Sequence, residues 1–441
     1  MDKKIAIIAV VAIVAITAVA VVVVLNPFGN GGSGGGDVTG DEVSWNGKPV
    51  EKTSNGLWVN KETGKIAGMK CEPYTFTDGI GKQYTFDHTF DAIAIADTVK
   101  GGPMMTMLAL CGSDIDKYIV AWDKDKLTSD SMQDFAWLTK DMPKLASLPL
   151  LDANSPMTVV ATNPGAYVHM MTAPESDLVA QKLKETLNVD TFYMYFQGED
   201  PTTISNTIKM LGMMFGLTER ANELAKLYVD KVTPLYQNAE KLIKANGGVR
   251  PQIYCECQGW QLDKFANSYN NETMWGAFIY NLGGQGVKTN WDADGMTALD
   301  SGGAFPVYNA AALLAHNAAI DAIAITCQPE GSGNIHTGYD ETKEKIIAKL
   351  QEGFSQTEGP RNGLGNLNAW KDGDVMVVAH QLNRNLYDFV GVEAMAKLIW
   401  PEEYKNLDPQ KDFFDFWHKY MPKELSIKGV WVLYYGDEVK S

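Results

Sequence analysis

Apolar and polar positions along the chain fall into distinct regimes. Residues 5 to 25 are apolar without interruption apart from Thr17. From 43 to 87 the pattern is short and rich in turn residues ("VSWNGKPVEKTSNGLWVNKETGKIAG", "KQYTFDHTF"), with Asn-Gly pairs at 46–47 and 55–56, which predicts short strands and hairpins. From residue 91 onward, short apolar runs that end in polar residues ("DAIAIAD", "KYIVAWD", "YVHMM", "VDTFYMYFQ") alternate with helical stretches such as "GPMMTMLALCG". Strands alternating with helices predict a parallel sheet covered on both faces.

The period changes between residues 202 and 246. Ile204, Ile208, Leu211 and Phe215 recur at helical spacing, Gly216 can end that helix, and Thr218 with Glu219 is expected to supply the N-cap and first-turn acid of the next. The second helix carries Ala221, Leu224, Ala225, Tyr228, Val232 and Leu235 on one face and is expected to run past Pro234 to Ala245, about 40 Å in all. Beyond Asn246-Gly247-Gly248 the alternation resumes with "RPQIYCECQ", "NETMWGAFIYNLGG", "NAAALLAHNAAIDAIAIT", "ETKEKIIAKLQEGF" and "DGDVMVVAHQ", followed by helices around "FVGVEAMAKLIWP" and "DFFDFWHKYMP". The expected fold class is therefore α/β, with two Rossmann-like lobes bridged by a single long helix. The first lobe spans 43–201, the helical section 202–246, and the second lobe with its helical tail 247–441. A ligand would sit between the lobes, at the carboxyl ends of the strands.

The run over 5–25 is long enough to cross a hydrocarbon core of about 30 Å and predicts a transmembrane anchor. Lys3 and Lys4 precede it and no basic residue follows until Lys48, so the bulk of the chain is expected on the extracytoplasmic side of the cell membrane. The triplet Ala18-Val19-Ala20 offers cleavage as the alternative. Residues 26–42, rich in glycine, read as a flexible linker.

Charge narrows the partners. With 54 acidic and 38 basic residues the net charge is −16, which repels a phosphate backbone and argues against nucleic acid. The five cysteines are an odd number, so no closed disulfide framework is expected. The six histidines (88, 169, 316, 336, 380 and 418) form no His-x-x-x-His pair, and neither a Gly-x-Ser-x-Gly elbow nor a Walker loop is present; no enzyme is expected.

The stretch "KMLGMMFGLTERANELAKLYVDKV" resembles a signature of class III substrate-binding proteins, which serve ABC importers of iron–siderophores, haem and cobalamin. Leu211-Gly212, Phe215-Gly216, Glu219, Ala221, Leu224 and Tyr228 fit it. "MWGAFIYNLGG", "NLNAWKDGDVMVV" and "AMAKLIWPEEYKNLDPQKDFFDFWHKYMP" are similar to later family motifs, so the likeness runs over about residues 85 to 423. The resemblance implies a membrane-anchored extracytoplasmic receptor with no intrinsic cofactor, binding an iron chelate, haem or corrinoid and working with an ABC importer permease. There are departures. Asn163-Pro164 is followed by Gly165 where the family has an acid, Asp321 lacks its proline, and Met157 with Asn309 or Ala310 stand near the family's docking glutamates.

In such a fold the strand-end loops hold the ligand. Met104 and Met105 in "KGGPMMTML" are candidates as soft, adaptable contacts, with core packing as the plainer reading. Trp122 at the end of "IVAWD" would be a stacking wall, or else an ordinary half-buried aromatic. Gln258 and Trp260 follow "YCEC", Gln328 lies in "ITCQPEGSGN", and Arg384 in "VVAHQLNRN" suits an anionic group unless merely solvated. His380 either assists there or is a satisfied strand-end histidine. Cys255 and Cys257 share one face of a strand and are weak candidates for a soft metal. The alternatives to a transport receptor are a surface metal-binding or redox protein using these two thiols, and a scaffold or adhesion protein that has lost transport.

Overall fold

The computed structural model describes residues 43–96, 102–123, 136–152, 156–170, 178–196, 200–256, 268–269, 271, 274–286, 297–298, 306–307, 310–327, 335–338 and 341–439. The expected anchor over 5–25 and linker over 26–42 lie outside them. Among the described residues no helix is long and apolar enough to cross a membrane.

The turn-rich start forms two small antiparallel sheets. Strands β1 (Val43–Trp45), β2 (Lys48–Lys52) and β3 (Trp58–Asn60) make one, and β4 (Lys70–Thr77) with β5 (Gln83–His88) the other. Asn46 and Gly47, both at positive φ (49° and 75°), make the two-residue turn between β1 and β2 that an Asn-Gly pair favours. The β4–β5 ribbon leans on the next sheet through aromatic rings: Phe76 and Tyr84 meet Phe192 edge-on at 5.4 and 5.0 Å.

The first large sheet contains β6 (Ile93–Ala96), β7 (Ile119–Asp123), β8 (Leu150–Leu151), β9 (Tyr167–Met170) and β10 (Thr191–Met194), all parallel, in the order β10-β9-β6-β7-β8. Alternate side chains of β6 go to opposite faces: Ile93 and Ile95 to one apolar cluster, Ala94 and Ala96 to another. Helix α1 (Gly102–Cys111) lies in the core over this sheet, and α2 (Leu178–Leu187) leads into β10.

Two helices then meet at a sharp corner. Helix α3 (Pro201–Met214) is capped by Asp200, which accepts from the amides of Thr202 and Thr203. Helix α4 (Thr218–Ala245) runs 28 residues through Pro234. A side chain at Gly212 would stand 2.1 Å from the Ala221 Cβ, so only glycine lets the two helices approach this closely. The expectation that Thr218 caps α4 is corrected. The cap position is Leu217, without a side-chain bond, because Leu217 N donates to Gly212 O at 2.7 Å and Gly216 at φ 68° closes the turn through backbone, drawing Thr218 into the helix.

The second large sheet holds β11 (Gln252–Glu256), β12 (Gln285–Gly286), β15 (Ala322–Cys327), β16 (Val375–Ala379) and β17 (Val432–Tyr434), in the order β12-β11-β15-β16-β17; only β17 is antiparallel. A small ribbon of β13 (Thr297–Ala298) and β14 (Pro306–Val307) precedes β15. Helices α5 (Trp275–Asn281), α6 (Lys343–Phe354), α7 (Phe389–Ile399) and α8 (Pro409–Tyr420) accompany the sheet. Cys255, Ala324 and Val378 face the cluster shared with α4 and α7; Tyr254, Ile325 and Val377 face a separate one on the far side.

Helix α4 touches elements of both halves. Near its start, Arg220 Nε donates to Ala109 O of α1 at 3.1 Å; toward its end, Gly283 beyond α5 lies against Ala239. Its buried stripe of Ala221, Leu224, Ala225, Tyr228, Val232 and Leu235 joins one apolar cluster that contains residues of both large sheets.

Candidate functional site

Three neighbouring strands of the second sheet end side by side: β11 at Glu256, β15 at Cys327 and β16 at Ala379. Because they are parallel, their carboxyl ends form one edge, and the polar groups there converge. His380 follows β16 directly and is 1% exposed. Its amide donates to Cys327 O at 2.6 Å. Its Nδ1 accepts from the indole Nε1 of Trp275 at 3.1 Å and lies 3.3 Å from both the Tyr269 hydroxyl and Thr326 Oγ1. The Tyr269 ring stacks on the imidazole at 21°.

Around this hub the chain is tied down. Thr326 Oγ1 donates to Glu256 O at 3.1 Å, and Ser268 Oγ donates to Cys255 O at 2.5 Å. Gly391 of α7 admits no side chain: a Cβ there would be 2.2 Å from Leu382 O and 3.0 Å from the Trp275 ring. Beside the hub, Glu256 (0% exposed) forms a bidentate pair with Arg361 (1% exposed). Arg361 Nη1 donates to Oε2 at 3.0 Å, Nη2 donates to Oε1, and Tyr254 Oη adds a bond to Oε2 at 3.2 Å.

A second polar group lies where α7 meets α4. Asp388 is fully buried. Burial pushes its pKa up to about 8, against a smaller opposite pull from the Tyr228 hydroxyl and the amides of Arg384 and Asn385. One turn of α7 further on, Glu393 is likewise raised to about 8 by burial, partly offset by Lys231 of α4 at 2.9 Å. Lys231 also meets Asp412 of α8 at 2.6 Å; burial alone would lower its pKa, but these bonds outweigh burial and raise it.

No family model matches the sequence. No curated protein matches it either. Solved structures do match. The TroA-like periplasmic binding protein FepB of Veillonella parvula is 24% identical and superposes with a TM-score of 0.69 over 82% of this chain and 99% of its own. A solute binding protein of an ABC transporter from Sulfurospirillum deleyianum is 14% identical, with a TM-score of 0.55 over 80% of this chain and 96% of its own. The molybdate periplasmic binding protein MolA of Haemophilus influenzae is 14% identical, with a TM-score of 0.52 over 80% of this chain and 100% of its own.

The chain has the TroA-like periplasmic-binding-protein fold.

Within that fold the residues singled out from sequence are placed unevenly. Met104 and Met105 on α1 show no exposed surface and Trp122 on β7 shows 1%; all three pack in the core rather than on an open face. The Trp122 indole nitrogen has no acceptor among the described residues. Gln258, Trp260, Gln328 and Cys257 lie outside the described residues. Cys255 is a buried core thiol, and no cluster of metal-ligating side chains occurs among the described residues. Arg384 lies in the loop after β16 with a left-handed backbone, φ 65°.

The TroA-like fold brings to the strand edge several residues that sequence reading passed over: Glu256, Ser268, Tyr269, Trp275, Thr326 and Arg361. They come from runs of the chain far apart in sequence, with only Ser268 and Tyr269 adjacent. The available signal was weak. Arg361 is one of four arginines, and Glu256 is an acid in an otherwise apolar strand.

Proposed function

We propose that the protein is an extracytoplasmic solute receptor of an ABC importer, binding an iron chelate, haem or corrinoid at the carboxyl edges of its two large sheets. The observation that carries this reading is the pairing of a parallel sheet and a mainly parallel one with one 28-residue helix touching both halves, in a fold shared at a TM-score of 0.69 with a periplasmic binding protein. The apolar run over 5–25 supports attachment to the membrane, and the Gly-rich linker supports a tethered body beside its permease. The segments 97–101, 124–135, 171–177, 257–267 and 328–334 follow strands of the two sheets directly, and Gln258, Trp260 and Gln328 stand in the last two. With Arg384, these are the residues assigned to the ligand.

A ligand panel tests the proposal. Ferric trihydroxamate, haemin, cyanocobalamin and molybdate are each titrated into the full chain while tryptophan emission and melting temperature are followed. A ligand present at a hundred times its Kd adds about 2.7 kcal/mol of stability. One member of the panel is expected to raise the melting temperature and to lose affinity when Trp260 and Arg384 are replaced by alanine. A panel that leaves the melting temperature unmoved at saturating concentration rejects the receptor reading in favour of a scaffold.

A further inference from the structure

We propose that Glu393 and Asp412 share one proton beside Lys231, and that this proton ties the first turn of α8 to the helix that touches both halves.

Three helices meet at this point. Lys231 Nζ of α4 lies 2.9 Å from Glu393 Oε1 of α7 and 2.6 Å from Asp412 Oδ2 of α8. The Glu393 side chain is 2% exposed, Asp412 27% and Lys231 31%. With both acids ionised, one ammonium would face two carboxylates, and the surplus charge would fall where Glu393 meets almost no water. The two carboxyl groups also lie within hydrogen-bonding reach of each other. Carboxylates only accept, so a bond between them requires a hydrogen on one. Glu393 Oε1 already accepts from Lys231, whereas Oε2 is shielded from water and meets no donor among the described residues. A proton on Oε2 turns that oxygen into a donor, with Asp412 as the acceptor. The unit then holds one cation and one anion.

Burial is the main force that keeps the proton on Glu393, raising its pKa to about 8; Lys231 pulls the other way, and Asp412 adds to the rise. The neighbouring polar groups of α4 are Lys231 and, one turn earlier, Tyr228. On α7 and at its start they are Lys397 and Asp388, and β17 brings Tyr434, whose hydroxyl donates to Ala394 O at 2.9 Å. Helix α5 and strands β15 and β16, which also pack on α7, carry no Asp, Glu, His, Lys or Arg. The protonated form is therefore held below about pH 8 and lost as pH climbs through that value. Two carboxylates then repel beside a single ammonium, and one must withdraw. Asp412, in the first turn of α8 and partly open to water, can rotate outward; Glu393 cannot. Lys231 stays with Glu393, and α8 loses its bond to α4 there, while its far end remains tied by Tyr420 Oη donating to Glu223 at 2.8 Å.

The test uses the ligand-free full chain, so its outcome is independent of whether a ligand is found. In protein carrying 13C at the glutamate side-chain carboxyl, Glu393 is assigned by the signal lost in Glu393→Gln, and Asp388 carries no such label. Glu393 is expected to be protonated at pH 6.5 and to titrate with a midpoint near pH 8. In the parent the Lys231 ammonium nitrogen is expected to shift with the same midpoint. Asp412→Asn removes the opposing charge and should lower the Glu393 midpoint by at least about one pH unit. Glu393→Gln keeps a donor toward Asp412 and an acceptor toward Lys231 without a titrating proton. At pH 9 the amides of residues 412–416 are expected to exchange with deuterium at least about threefold faster in the parent than in Glu393→Gln, and equally at pH 6.5. A Glu393 midpoint below pH 6, a Lys231 signal that does not follow it, a midpoint unmoved by Asp412→Asn, or equal exchange in parent and Gln variant at pH 9 overturns the proposal.

Discussion

Glu256 and Arg361 hold opposite charges where almost no water reaches them, 0% and 1% exposed. Removing two ions from water is costly, and the bidentate geometry with a third bond from Tyr254 is what offsets that cost. The pair also fixes the end of β11, from which segment 257–267 departs. Glu256→Gln keeps the shape but strips Arg361 of its counter-charge, and it is expected to lower stability by about 3–5 kcal/mol in denaturant unfolding. A Glu256→Gln chain that unfolds at the parent's denaturant midpoint would show the pair to be expendable. At this scale the sequence was a poor guide. Alternation along "YCEC" correctly separated the face of Tyr254 and Glu256 from that of Cys255, since period two is a backbone property. The partner of Glu256 stands 105 residues away, beyond the reach of any local pattern. Likewise Arg384 drew notice for following a strand, while the buried guanidinium belongs to Arg361.

Between α4 and α7 the packing is apolar except at Tyr228, Lys231, Asp388 and Glu393. The apolar stripe of α4 could be read directly, because residues three and four apart share a face. Which polar residues meet it could not, since that depends on how α7 crosses it. The consequence is a pH dependence of unusual sign. Asp388 has its folded pKa raised to about 8 from an ordinary value of 3.8. The neutral acid is thus favoured by folding, and its contribution is complete below the unfolded value and is lost as pH climbs through the folded one. Stability from this group should decline from about pH 4 to about pH 8 and level off above. Asp388→Asn, similar in shape and uncharged, is expected to flatten that decline. Parent and variant melting temperatures recorded from pH 5 to pH 9 should therefore diverge up to about pH 8 and run parallel above it. Parallel values over the whole range would mean that Asp388 finds a compensating partner on ionisation.

At the scale of the whole molecule, Val38–Ser441 forms a single compact unit, and one apolar cluster runs from the first large sheet through α4 into the second. Closure around a ligand by hinge rotation needs a few residues free to change φ and ψ. A 28-residue helix with a buried stripe has none to spare, and its first turn is held by Arg220 bonding both Ala109 O and Tyr420 O, at 3.1 and 3.2 Å. Pro234 removes one backbone donor within α4 without ending it, because Leu235, Ala239 and Leu242 continue the buried face beyond. Ligand binding should then shift the two sheets against each other by no more than a few ångström. Spin labels placed on exposed Lys184 of α2 and Lys349 of α6, each substituted by cysteine, report that separation by pulsed dipolar spectroscopy. Distance distributions with and without the ligand that emerges from the panel should overlap, with the bound form at most narrower. A change in the mean distance between the labels of about 5.4 Å or more, a full helical turn, would place a hinge in the chain and show that α4 bends or that its first turn lets go.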